Sequence, residues 1–127
     1  MKMNNLADMI ARINVAHRRR LWSINVRYTE ECVKIVTKLL LDGYIRSFDI
    51  LDSKTMRINF YYHYNVNGLR ELRLISSPGF KRYLSVQELR SKYFTFSNVY
   101  LWTTVGLLDL KEAIAKNKGG YAILSVR

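Results

Sequence analysis

Thr103 and Thr104 stand next to each other, and Gly106 follows with only Val105 between. They fall between an expected strand over 94–102 and an expected helix opened by Asp109, so the turn offers two hydroxyls and a backbone that a neighbour can approach closely. Three uses fit these residue types. A nucleophilic threonine needs a base within hydrogen-bond reach, but His17 and His63 are both remote in sequence. Asp109 and Glu112, three apart, read instead as a capping box, so no enzyme is expected. A phosphate or 2′-hydroxyl surface needs short donors and acceptors, and the dipole of the helix starting near Asp109 would add positive potential. An ordinary strand-to-helix turn satisfies the spacing with no ligand at all.

Charge narrows the choice of partner. The 127 residues carry 21 Lys and Arg against 10 Asp and Glu, a formal net charge of +11, which favours a polyanion such as nucleic acid or anionic lipid. No apolar run reaches the roughly 20 residues of a membrane-spanning helix, and the charges do not line one amphipathic face. No membrane partner is therefore expected. The single Cys32 excludes an internal disulfide, and with two histidines it gives no metal or haem spacing; no cofactor and no small-molecule substrate are expected. Cys32 itself is expected as a small buried residue. Arg18, Arg19 and Arg20 after the first helix, and Lys81, Arg82 and Tyr83 after Pro78-Gly79, are candidate phosphate contacts that would position the protein without reading sequence. A run of charges also describes a solvated face.

The elements that must position these groups follow from periodicity. Leu6, Met9, Ile10 and Ile13 recur at helical spacing, with Asn5 expected as the cap and Asp8 in the first turn. His17 to Arg20 read as a basic loop, and Trp22, Ile24, Val26 and Tyr28 alternate as a strand. Thr29 is expected to cap a second helix that Gly43 stops. Strands are expected over 44–51, 56–64 and 69–75, the last two joined by a tight turn at Asn67-Gly68. Ser76-Ser77-Pro78-Gly79 breaks the pattern as a turn, residues 80–84 are extended, Ser85 to Glu88 form another capping box, and the final strand runs from Tyr121 to Val126. The class is α+β in two small lobes. Residues 1–65 read helix-strand-helix-strand-strand, and residues 66–127 are mostly β with short helices.

With these elements placed, the chain resembles the small-subunit ribosomal protein of the eighth family, in its bacterial and organellar form. Three stretches carry the resemblance. Leu6-Ala7-Asp8-Met9-Ile10-Ala11-Arg12-Ile13-Asn14 is similar to the family's opening Ala-Asp-Met-Leu-Thr-Arg-Ile-Arg-Asn; Ser76-Ser77-Pro78-Gly79-Phe80-Lys81-Arg82-Tyr83 to Ser-Arg-Pro-Gly-x-Arg-x-Tyr; and Trp102-Thr103-Thr104-Val105-Gly106 stands in the place of Ser-Thr-Ser-x-Gly. The chain departs from the family at Thr29-Glu30-Glu31-Cys32, where Ser-Lys-Leu-Lys is usual. It departs also at Thr95-Phe96-Ser97, where Gly-x-Gly is usual, and at Trp102.

The resemblance implies a protein that binds the central domain of small-subunit ribosomal RNA early in assembly, with ribosomal-protein neighbours. It makes 66–127 the RNA-binding lobe and adds Arg12, Asn14, Ser76, Ser77, Pro78, Gly79, Gly119 and Gly120 to the expected RNA contacts, beside Arg18 to Arg20, Lys81, Arg82, Tyr83, Thr103, Thr104 and Gly106. Abundant Tyr, Asn and Ile with a single Pro, together with the departures and no visible import signal, point to a mitochondrial ribosome with its gene in the organelle. Plastid and bacterial origins are the alternatives. The alternative function is a free-standing RNA-binding or translational regulatory protein.

Overall fold

The computed structural model describes residues 3–60, 71–75, 82–93 and 98–126. The chain divides into two compact units, 1–71 and 72–127, and the class is α+β. The expected turns at Asn67-Gly68 and at Ser76 to Gly79 lie outside the described residues.

The first unit runs α1 (Met3–Arg18), β1 (Ser23–Arg27), α2 (Glu30–Leu41), β2 (Ser47–Ile50) and β3 (Thr55–Asn59). On α1, Leu6, Met9, Ile10, Ile13 and Ala16 form one buried stripe. That helix begins two residues before the expected cap, so Asn5 lies inside it and Asp8 is beyond its first turn. Asp8 instead accepts from Arg12 one turn later at 3.0 Å, an exposed pair that contributes a few tenths of a kcal/mol at most. α2 opens as expected, with the Thr29 hydroxyl accepting from the Cys32 N–H at 3.2 Å. Cys32 is buried, and burial pushes its thiol pKa up. β3 lies between β1 and β2, antiparallel to both. Val26 of β1 and Met56 and Ile58 of β3 join Ile35, Val36 and Leu39 of α2 in the buried set.

The same closure ends three helices. In each, the residue after the cap takes a left-handed conformation, and the next N–H reaches back five residues, which satisfies carbonyls left open at the helix end. Gly43 (φ 82) does this after α2, with Tyr44 N–H donating to the Leu39 carbonyl at 2.9 Å. Asn117 (φ 55) does it after α4 (Leu110–Ala115), with Lys118 N–H donating to Ala113 at 2.9 Å. After α1 the position is held by Arg20 (φ 54), with Leu21 N–H donating to Ala16 at 2.9 Å. Glycine takes this conformation freely and asparagine tolerates it, whereas other side chains lose about 1–2 kcal/mol there. His17 and Arg18 are therefore the last turn of α1 and Arg19 and Arg20 its closing turn, where the sequence led us to expect a loop.

The second unit is organised by β8 (Gly120–Val126). One edge of β8 pairs with β6 (Asn98–Thr103), which in turn pairs with β7 (Gly106–Asp109). Its other edge carries β5 (Arg82–Leu84) along residues 120–122 and β4 (Leu72–Leu74) along 124–126. Ile75 and Arg82 stand at neighbouring places on that edge, since Ile75 N–H donates to Ile123 at 2.7 Å and Arg82 faces Ala122. Short helical turns over Val86–Glu88 (α3) and Leu89–Tyr93 follow β5. The expected capping boxes are present at Ser85/Glu88 and Asp109/Glu112. Leu84, Leu89, Val99, Leu101, Leu108, Leu110, Ala113 and Ala122 make one core.

For β8 to lie between β5 and β6, its first turn must have no side chain. A Cβ on Gly119 would come 2.6 Å from the Leu84 carbonyl oxygen, and one on Gly120 would collide with the Trp102 carbonyl and come 2.9 Å from the Thr103 methyl. Gly119→Ala and Gly120→Ala are each expected to lower stability by about 1–3 kcal/mol, the usual range for overpacking. Arg20→Gly is expected to raise it by about 1 kcal/mol. Urea denaturation midpoints of the three variants test both statements, and midpoints equal to that of the parent would refute them.

Candidate nucleic-acid interface

In the second unit, residues 103–106 close a hairpin between β6 and β7, not a passage from strand to helix. α4 starts only at Leu110, and the Asp109 carboxylate caps it by accepting from Glu112 N–H at 2.8 Å. The helix dipole expected to support the hydroxyls is thus answered by the helix's own acid. Inside the hairpin the Thr103 hydroxyl donates to the Gly106 carbonyl at 2.8 Å and accepts from Val105 N–H at 3.2 Å. Thr103 therefore builds the turn. Thr104 and Val105 are exposed, and Gly106 takes φ 111 with open space where its Cβ would be. The groups left facing outward are the Thr104 hydroxyl and the backbone around it.

Register aligns a row of large side chains beside this hairpin. Tyr83 of β5 faces Tyr121 of β8, Tyr121 faces Trp102 of β6, and Trp102 faces Leu107 of β7. Directly opposed residues project from one side of a sheet. The two tyrosine rings meet edge to face with centroids 5.3 Å apart, and they are 56% and 48% exposed. Trp102 is half-buried, while Tyr100, two residues earlier, is fully buried. The residues next in sequence, Leu84, Leu101 and Ala122, point into the core. This face thus shows aromatic rings to solvent while its reverse is sealed. Tyr121 was not among the residues singled out from sequence; its place in this row follows from its register opposite Tyr83 and Trp102. Arg82 is exposed on the same short strand. Gly119 is half-buried and Gly120 buried, and packing requires both. Ser76, Ser77, Pro78, Gly79 and Lys81 lie outside the described residues.

In the first unit, Arg18, Arg19 and Arg20 are exposed at the end of α1. His17 is half-buried there, and burial first, then the charge of Arg20, hold its imidazole below the usual pKa. The cationic run at neutral pH is therefore carried by arginines. Arg12 is exposed, bound to Asp8 and reaching the Asn25 carbonyl at 3.4 Å, and Asn14 is half-buried. No group of three His, Cys, Asp or Glu side chains gathers among the described residues, and none of their helices is long and apolar enough to cross a membrane.

The two threonines separate experimentally. Thr103→Val removes two hydrogen bonds and is expected to cost about 1–3 kcal/mol of stability, at ~0.5–1.5 per bond, whereas Thr104→Val is expected to leave stability within about 0.5 kcal/mol, as for other exposed positions. Thermal melts of both variants decide it; equal melting temperatures would remove Thr103 from the turn's support.

A family model described as ribosomal protein S8 matches residues 4–126. The chain is 31% identical over 121 residues to the small ribosomal subunit protein uS8 of Mycoplasmopsis pulmonis, covering 93% of this chain and 92% of that one. It is 32% identical over 128 residues to uS8 of Orientia tsutsugamushi, covering 97% and 96%. With uS8m of Acanthamoeba castellanii the identity is 31% over 127 residues, covering 98% and 99%. These relatives are ribosomal proteins and not enzymes, and the likeness extends nearly end to end in each. By this match along almost its whole length, the chain belongs to the ribosomal protein S8 family.

Proposed function

We propose that the protein is a structural constituent of the small ribosomal subunit that binds and orders the central domain of small-subunit ribosomal RNA early in assembly. The observation that carries this reading is the exposed pair Tyr83 and Tyr121, in one row with half-buried Trp102 beside the Thr103–Gly106 hairpin, on a chain of net charge +11 that belongs to a ribosomal protein family. Folded RNA presents phosphates, 2′-hydroxyls and occasional unstacked bases. The Thr104 hydroxyl and the hairpin backbone suit the first two, and the exposed tyrosine rings suit an unstacked base. Arg82, exposed at the start of the Tyr83 strand, would hold a phosphate, and the arginines at the end of α1 add attraction that positions without reading sequence. Neighbouring small-subunit proteins are the other partners. A mitochondrial ribosome is the proposed location; the mitochondrial relative supports it, although bacterial relatives match equally well.

Purified protein is expected to bind a central-domain small-subunit RNA fragment far more tightly than an unrelated duplex, and to keep that preference as salt rises. Contacts to phosphate alone would weaken on both RNAs with similar steepness, because each neutralised phosphate contributes a log-log slope of about −0.9 on a duplex. Tyr121→Ala is expected to cost about 1–3 kcal/mol of affinity for the fragment with little change in melting temperature. Equal affinity for the two RNAs throughout a salt titration would overturn the reading. Co-sedimentation with small subunits at high salt separates it from a free-standing RNA-binding or regulatory protein, which would stay at the top of the gradient.

A further inference from the structure

The first unit has a groove that the RNA reading does not use. It has a volume of about 480 Å³ and runs between α1 and β1, walled by Ala11, Val15, Ala16, Leu21 and Ile24, with Arg12 and Asn25 as its polar members. Leu21 is 42% exposed, and Trp22 beside it is 58% exposed. A large indole so placed is unusual unless something covers it, and tryptophan and arginine are the side chains most enriched at interface hot spots. The charge around it is mainly positive: Arg12 is ion-paired with Asp8 at 3.0 Å, whereas Arg18, Arg19, Arg20 and Arg27 are exposed and no acidic residue falls between Asp8 and Glu30 in sequence.

Arg20 adds an independent observation. It holds the left-handed closing position that Gly43 and Asn117 hold at the other two helix ends, where a glycine would be more stable. Backbone strain at a surface position leads from the outlier to a hypothesis of function. Arg20 is exposed and directly precedes Leu21, one of the residues that line the groove.

We propose that this groove docks a segment of a partner protein that inserts aliphatic side chains between Leu21 and Val15 and pairs a flanking carboxylate with Arg20. Arginines alone suit phosphate as well as carboxylate, and the walls decide between them. A nucleobase stacks on flat aromatic or guanidinium faces and is read by hydrogen bonds, whereas the walls of this groove are mainly methyl and methylene groups of Ala11, Val15, Ala16, Leu21 and Ile24. Aliphatic walls within a cationic rim complement an acidic, aliphatic segment.

The test is crosslinking in the protein's own cells, from the full chain carrying Trp22→p-benzoylphenylalanine, with the crosslinked partner mapped by mass spectrometry. The expected product is a protein segment carrying Leu, Ile or Val at the attachment point and Asp or Glu within a few residues. Its yield is expected to fall at least tenfold when Ala11→Glu or Arg20→Gly is added. Ala11 is exposed, so its variant should melt normally, and Arg20→Gly should melt higher than the parent. A crosslink to RNA, a protein crosslink indifferent to Ala11→Glu, or no crosslink at all would overturn the proposal. Sedimentation of the same variants with small subunits is scored separately, so that loss of the ribosomal reading and loss of this one are distinguishable.

Discussion

β8 has partners along both of its edges, and the features of the second unit follow from which residue stands opposite which. Two glycines make this possible, because any side chain at 119 or 120 would meet the backbone of β5 or β6. Once β8 is in place, Leu84, Ala122, Leu101 and Leu108 fall on the sealed side of four strands, and Tyr83, Tyr121, Trp102 and Leu107 on the other. One register thus fixes the core and the aromatic face together, since slipping a strand by one residue would exchange the two. The same register sets the Thr103–Gly106 hairpin at the end of the Trp102/Leu107 pair, bringing hydroxyl and ring chemistry to one end of the sheet.

The first unit is held differently. Its sheet is small, with β3 between β1 and β2, and most of its burial comes from the stripes of α1 and α2. Its helix ends carry the conformational constraints, and their residue choices are informative. Gly43 suits the backbone, as Asn117 does at the end of α4 in the second unit, whereas Arg20 works against it. Part of that cost is offset because three cations at the C-terminal end of α1 interact favourably with the helix dipole.

Local signals made part of this fold legible in sequence. Thr29 and Gly43 bracket α2, Ser85/Glu88 and Asp109/Glu112 mark their helices, and the alternation through Ile24 and Val26 marks β1; each is a short-range pattern with a short-range cause. What escaped depends on distant residues or on an unfavourable local choice. The β6–β7 hairpin read as a strand-to-helix turn because only Leu107 and Leu108 separate Gly106 from the Asp109 capping box, too short a run to announce a strand, and only their pairing with Trp102 and Leu101 makes them one. The end of α1 read as a loop because an arginine occupies the position where a glycine would announce the closure. Tyr121 went unnoticed because its partner Tyr83 is far away in sequence, and a bulge at Ile123 buries Ala122, Ile123 and Leu124 in succession, which breaks the alternation.

The ribosomal reading gives the aromatic face and the Thr103–Gly106 hairpin one task, to hold folded RNA against a rigid sheet. Amide hydrogen exchange of the full chain, with and without a central-domain ribosomal RNA fragment, tests this most directly. The account expects slowed exchange at Thr104, Val105 and the Tyr83/Tyr121 strands on RNA binding. Exchange in the second unit unchanged by a fragment that binds tightly would contradict it.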